Sequence, residues 1–174
     1  MRKTIFIVLT LALFAVLNYA IYEKEQLKAN GETVYLELAP VDPRSLMQGD
    51  YMQLRYAVER GITRDIALLQ KKRGYMVLAP DGNHVAKFVR FHAGEALRAG
   101  EKLVHYQNNY GNVRIVPDSF LFQEGHAKYY QGAKYGEFKF DTRGGHILVG
   151  LASENRSPLA PKADEQVTQN PGSR

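Results

Sequence analysis

The side chains of this sequence that could do chemistry fall into three groups. Asp50, Arg55 and Glu124 supply two carboxylates and a guanidinium, a set suited to lining a polar recognition groove. Five histidines, His84, His92, His105, His126 and His146, are the candidates for metal ligation, but none pairs at the i, i+2 or i, i+4 spacing of a two-histidine site. A composite of His126, Glu124 and another histidine stays open on spacing alone. Tyr106, Tyr110, Phe120, Phe122, Tyr129, Tyr130 and Tyr135 crowd a short stretch, either as core or as an aromatic binding surface. Tyr129, Tyr130 and Tyr135 fall in its least regular part and are the better surface candidates. No glycine-rich phosphate loop is present, and without cysteines neither disulfides nor thiolate metal sites can form. The expectation is no catalytic set, no metal and no cofactor.

The element that must position Asp50 and Arg55 is the run Gly49-Asp50-Tyr51-Met52-Gln53-Leu54-Arg55-Tyr56. Gly49 permits a positive φ, and the Asp50 side chain can hydrogen-bond the backbone two residues on. A strand over 51–58 would turn Met52, Leu54, Tyr56 and Val58 to the core and Tyr51, Gln53 and Arg55 outward. Tyr51 and Tyr56 add large apolar bodies with a hydroxyl that can anchor to a buried partner. On one reading the run is a structural corner. On the other, Asp50 and Arg55 form a binding edge with Glu124 and Gly125.

Around that run the chain reads as short strands and turns. Val34–Leu38 alternates as a strand, and Pro40, Asp42 and Pro43 force an irregular connection. The residues 63–72 form the one helix-like stretch, with Thr63 as cap and Gly74 as stop. Tyr75–Ala79 and His84–Phe91 flank the turn Pro80-Asp81-Gly82-Asn83. Lys102–Gln107 with Val113–Val116, and Glu137–Asp141 with His146–Leu151, make two further hairpins. Phe120–Gln123 is a short strand, and Ala127–Lys134 a short helix or turn. Short strands at this spacing predict a mainly β fold, one antiparallel β-sandwich or partly open barrel with one short helix. From Ser153 onward the chain is polar and poor in large apolar residues, which predicts a disordered tail over 153–174. The sequon Asn155-Arg156-Ser157 lies in that tail.

The N-terminus is of another kind. Ile5–Tyr22 is apolar apart from Asn18, and as a helix it spans about 27 Å, near the thickness of bilayer hydrocarbon. Arg2 and Lys3 precede it, which predicts residues 1–4 in the cytoplasm, an anchor over 5–22, a charged stem over 23–32 and a domain over 33–152 outside. The rival is a cleaved signal peptide. Cleavage after Ala20 would place Asn18 at the −3 position, where a small residue is wanted, and the apolar run is long for a signal. The formal charge of +5 is scattered among acidic residues and reads as a solvated surface, with anionic lipid the minor alternative. The expected side of the membrane disfavours nucleic acid.

Val41-Asp42-Pro43-Arg44-Ser45-Leu46-Met47-Gln48 leading into the Gly49–Tyr56 run resembles the signature of the GDYxxLxY family of membrane-anchored proteins. Phe120-Leu121-Phe122-Gln123-Glu124-Gly125 is similar to a second family feature, an aromatic strand ending in Pro-Glu-Gly, with Gln123 in place of the proline. The family often carries a further Glu beyond that turn, where this chain has Lys128-Tyr129-Tyr130-Gln131. Phe138–Asp141 and Gly144–Leu151 fit as well. The resemblance implies a single-pass anchored protein, considered alongside polytopic membrane proteins, and it brings no established active site. Arg44–Asp50 also looks like a box of signal-peptidase-like Ser/Lys proteases, and Ala86-Lys87-Phe88-Val89-Arg90 looks like the box bearing their general base. There the nucleophile position falls on Val41, and Ser45, the nearby hydroxyl, matches a different position.

These readings converge on a non-enzymatic accessory protein of a bacterial inner membrane, binding the bilayer through 5–22 and supporting a polytopic membrane protein partner. The motif residues Gly49, Asp50, Tyr51, Leu54, Arg55 and Tyr56, with Glu124 and Gly125, are the expected binding edge. An envelope ligand sensor is the alternative, and a degenerate Ser/Lys hydrolase a weaker one.

Overall fold

A computed structural model of the chain describes residues 2–40, 47–48, 51–62, 72–109, 112–141 and 144–161. Helix α1 runs over Arg2–Asn30 and merges the apolar segment with most of the charged stem. It is one helix long and apolar enough to cross a membrane, near the N-terminus, by length and composition, as a membrane anchor or a signal sequence would be. Its apolar side chains from Ile5 to Tyr22 are exposed, and Leu27 is the first to be buried. Gly31 closes it, donating its N–H to the Leu27 carbonyl at 2.9 Å, and the chain enters β1 (Glu32–Glu37) at the next residue.

Three antiparallel sheets wrap one core as a partly open barrel. The first has the order β1, β9 (Tyr135–Phe140), β10 (His146–Ala152), β11 (Pro158–Leu159). The second runs β5 (Ala86–Phe91), β4 (Arg73–Pro80), β6 (Lys102–Asn109), β7 (Asn112–Ile115). The third is small: β2 (Met47–Gln48), β3 (Tyr51–Gln53), β8 (Ser119–Leu121). A parallel bridge between Tyr35 and Val85 joins the first two sheets, and an antiparallel bridge between Leu38 and Tyr56 joins β1 to the segment after β3. Two single-turn helices complete the described elements, α2 (Val58–Gly61) and α3 (Ala127–Tyr130).

The alternation in β1 buries Val34 and Leu36 in one core cluster with Phe138 and Phe140 of β9, Met76 and Leu78 of β4, and Ile115 of β7. The three expected hairpins form as β4–β5, β6–β7 and β9–β10. In the first, Asp81 Oδ1 accepts from the N–H groups of Asn83 (2.9 Å) and Val85 (3.1 Å). His84, expected to open the strand, belongs instead to the turn with φ +59, and pairing starts at Ala86.

The strand expected over 51–58 is shorter. Ladder pairing stops at Gln53, because the backbone then changes partners. The Leu54 N–H goes to Asp118 O (2.8 Å), the Arg55 carbonyl accepts from Ala39 N (2.7 Å), and Ala57 N goes to Glu37 O (2.8 Å). The inward set nonetheless stays inward: Met52, Leu54 and Tyr56 are buried and Val58 packs against them. The helix expected over 63–72 lies outside the described residues, save Lys72, which leads into β4. Part of the segment read as a disordered tail has structure, since Pro158 and Leu159 pair with Ala152 and Leu151.

Candidate functional site

The motif divides into an outer half and an inner half. Outside, Tyr51 lies directly opposite Leu121 across the β3–β8 ladder. The two are 37 % and 77 % exposed, so together they make an apolar surface pair. Beyond Leu121 the chain passes the end of the ladder at which β3 begins and turns through Glu124 and Gly125. Gly125 has φ +79, a left-handed conformation that explains a glycine there, and Glu124 is exposed. Gly49 and Asp50 lie outside the described residues.

Inside, Leu54 and Tyr56 are core residues. The Tyr56 ring packs edge-on to Phe138 with centroids 5.8 Å apart. Its hydroxyl donates to Pro117 O at 2.8 Å, at the cis Val116–Pro117 peptide. Burial, then the nearby carboxylates Glu59 and Asp118, push the Tyr56 hydroxyl well above its ordinary pKa, so it is a fixed donor. Glu59 of α2 accepts from the N–H of Ile115 at 2.8 Å. Desolvation raises its carboxyl above the usual value, while the backbone hydrogen bonds and then Arg55 and Arg114 hold it down. Arg55 thus acts on Glu59 at the inner end of the motif, whereas Glu124 sits beyond the outer end. Glu59 reads in sequence as an ordinary polar residue and was missed; the Pro117-Asp118 dipeptide is the one local signal of a turn beside it.

The other candidates resolve one by one. Lys87 Nζ is 3.3 Å from Asp81 Oδ2, on a side chain 72 % exposed. A solvated, ion-paired ammonium is the opposite of the buried neutral amine a Ser/Lys dyad needs. Its partner positions, Val41 and Ser45, lie outside the described residues. His146 stacks on Phe140 (5.5 Å) and places Nε2 3.2 Å from Val116 O; burial lowers its pKa and favours the neutral ring. His126 is buried edge-on to Tyr129 at 5.5 Å. His105 meets Tyr75 edge-on at 4.6 Å. Among the described residues no group of three or more His, Asp or Glu is arranged for a metal ion.

Two of the three tyrosines read as surface candidates pack inward. Tyr130 is buried between Phe120 (5.2 Å) and Phe122 (5.4 Å), because the turn of α3 directs it to the core. Tyr129 packs against the same core with Lys128 Nζ 4.8 Å from its ring centroid. Tyr135 is half-buried, edge-on to Tyr35 at 6.2 Å.

A cleft of about 510 Å³ opens where α1 meets the domain. Tyr19, Tyr22 and Gln26 of α1 form one wall, and Glu32, Lys102 and Phe140 form the other. Lys102 Nζ holds Glu32 Oε2 at 2.6 Å within that lining. The volume lies within the usual range for small-ligand sites, and no sequence motif announces it, because its walls come from four separate elements.

The GDYXXLXY protein family model matches residues 13–151, from within α1 to β10. No curated protein and no solved structure matches the chain. The match spans most of the sequence and includes both halves of the motif, so this protein belongs to the GDYXXLXY family.

Proposed function

We propose that the protein is a single-pass, membrane-anchored accessory protein that binds and supports a membrane protein partner. Residues 5–22 span a bacterial inner membrane, Arg2 and Lys3 stay in the cytoplasm, and the β domain stands in the periplasm. The observation that carries the reading is the Tyr51–Leu121 pair, two exposed apolar residues opposite each other across the β3–β8 ladder, the first of them a motif residue. An apolar side chain as exposed as Leu121, beside an aromatic ring, is the kind of group that interfaces bury.

The test is crosslinked co-purification of tagged full-length protein from membranes, compared with Tyr51→Ser/Leu121→Ser checked for folding by circular dichroism. A specific polytopic protein should be recovered and then lost with the folded double variant. Recovery of no specific membrane protein, or recovery that the variant leaves unchanged, sinks the reading.

The cleft between α1 and the domain favours a second reading, a sensor of an envelope ligand. Thermal shift of the full-length protein in micelles with cell-wall fragments and small metabolites tests it. A melting temperature unmoved by every compound removes this alternative.

A further inference from the structure

Asn18 is the strongly polar side chain of the apolar segment 5–22. Thr10, the threonine of the same segment, satisfies itself, its Oγ1 donating to Phe6 O at 2.9 Å. Asn18 does so only in part. Its Nδ2 donates to Phe14 O at 2.8 Å, which leaves one N–H and the Oδ1 acceptor still to be satisfied. The side chain is exposed. It lies four residues, roughly 6 Å, inside the apolar end marked by Tyr22. Hydrocarbon supplies no water to these groups, so another helix must.

Two copies of this chain in one membrane share one orientation, so their Asn18 side chains lie at the same depth. The amide is also self-complementary: each copy can donate its remaining N–H to the other's Oδ1 about a two-fold axis along the membrane normal. Leu11 and Ala15 stand seven and three residues before Asn18, on the same face of α1, and both are exposed. The small Ala15 lets two backbones approach closely. We propose that α1 pairs in parallel with α1 of a second copy across the Leu11–Ala15–Asn18 face, closed by reciprocal Asn18–Asn18 hydrogen bonds. The proposal rests on the membrane-anchored reading above.

The chain contains no cysteine, so single cysteines report on one face at a time. Leu11→Cys and Ala15→Cys lie on the proposed face, and Leu13→Cys and Val16→Cys on the opposite one. Membranes bearing each full-length variant are oxidised and the disulfide-linked dimers measured, with alkaline extraction run in parallel. Dimers at 11 and 15 but not at 13 and 16 are expected. Asn18→Leu should weaken self-association roughly 3- to 30-fold by energy transfer between labelled copies in vesicles, and Asn18→Gln should retain most of it. Equal crosslinking on both faces, none on either, crosslinks only to a different protein, or full association of Asn18→Leu overturns the pairing while leaving the anchor intact. Release of the protein by alkali overturns the anchor itself, and the pairing with it.

Discussion

The Tyr56 hydroxyl donates to the Pro117 carbonyl at 2.8 Å, across 61 residues of sequence. That bond ties the last residue of the family motif to the loop between β7 and β8. It makes the inner half of the motif a corner brace, while the outer half remains a surface.

Tyr56→Phe keeps the ring against Phe138 and leaves the Pro117 oxygen without its partner. Chemical denaturation in micelles should show a loss of about 1–2 kcal/mol. Tyr56→Ala removes the ring as well and should cost about 3–5 kcal/mol. Equal losses for the two variants would mean that the hydroxyl, not the packing, dominates.

Glu59 should give stability a falling dependence on pH. Its folded pKa lies above its unfolded value, chiefly through desolvation, so the folded state binds more protons. Its contribution is full below the ordinary carboxyl value of 4.5 and is lost as pH rises through the raised folded value. Glu59→Gln keeps an acceptor for the Ile115 N–H without the charge. Melting temperature against pH should lose this falling component in the variant and retain it in the parent.

Arg90 organises two carboxylates that behave oppositely to Glu59. It binds Glu101 through two bonds, 2.6 and 2.9 Å, and Glu95 at 2.8 Å. Arg90, then the Arg98 N–H, hold the Glu101 carboxyl down to about 2. The N–H groups of Glu95 itself and of Ala93, then Arg90, hold Glu95 down to about 2. Both folded pKa values lie below the unfolded one, so this stabilisation is present above 4.5 and is lost as pH falls from there through about 2. Glu101 should matter more, since its side chain is 6 % exposed against 37 % for Glu95. Acid unfolding should therefore flatten more in Glu101→Gln than in Glu95→Gln.

Gly74 in β4 lies under the ring of Tyr106. A Cβ there would sit 2.8 Å from the Tyr106 hydroxyl and 2.9 Å from two ring carbons. Tyr106 is itself wedged against Phe91 at 5.1 Å and cannot retreat freely. Gly74→Ala should cost about 1–3 kcal/mol by overpacking. Adding Tyr106→Leu should cost less than the sum of the two single changes, and a strictly additive double variant would refute the clash.

Local pattern carried much of this fold. Asp81 in a Pro-Asp-Gly-Asn turn and the alternation through Val34 and Leu36 were readable because each is decided by neighbours a few residues away. Partner choice was not. Thr33 pairs with Lys139 across the chain, and alternation does not name a partner. The 51–58 strand was overextended for a related reason: Leu54 and Tyr56 keep the buried phase of a strand while their backbone crosses between sheets. For the candidate site, Tyr56 was readable as an anchored tyrosine. Its partner Pro117 and the carboxylate of Glu59 were not, because a long-range hydrogen bond leaves no periodic trace. Tyr130 misled because an irregular stretch suggests exposure, whereas one turn of helix sufficed to carry it inward.

Helix α1 ends at Asn30 and β1 begins at Glu32, with Gly31 alone between them. Leu27 is buried near the junction, and the Gly31 N–H is tied back into the helix. A rod joined this closely to a barrel transmits angle. On the anchored reading, leaning the span by a few degrees swings the far rim of the domain sideways, as a lever amplifies motion near its fulcrum. A neighbouring span that changed the lean of α1 would thereby reorient the Tyr51–Leu121 surface without touching it.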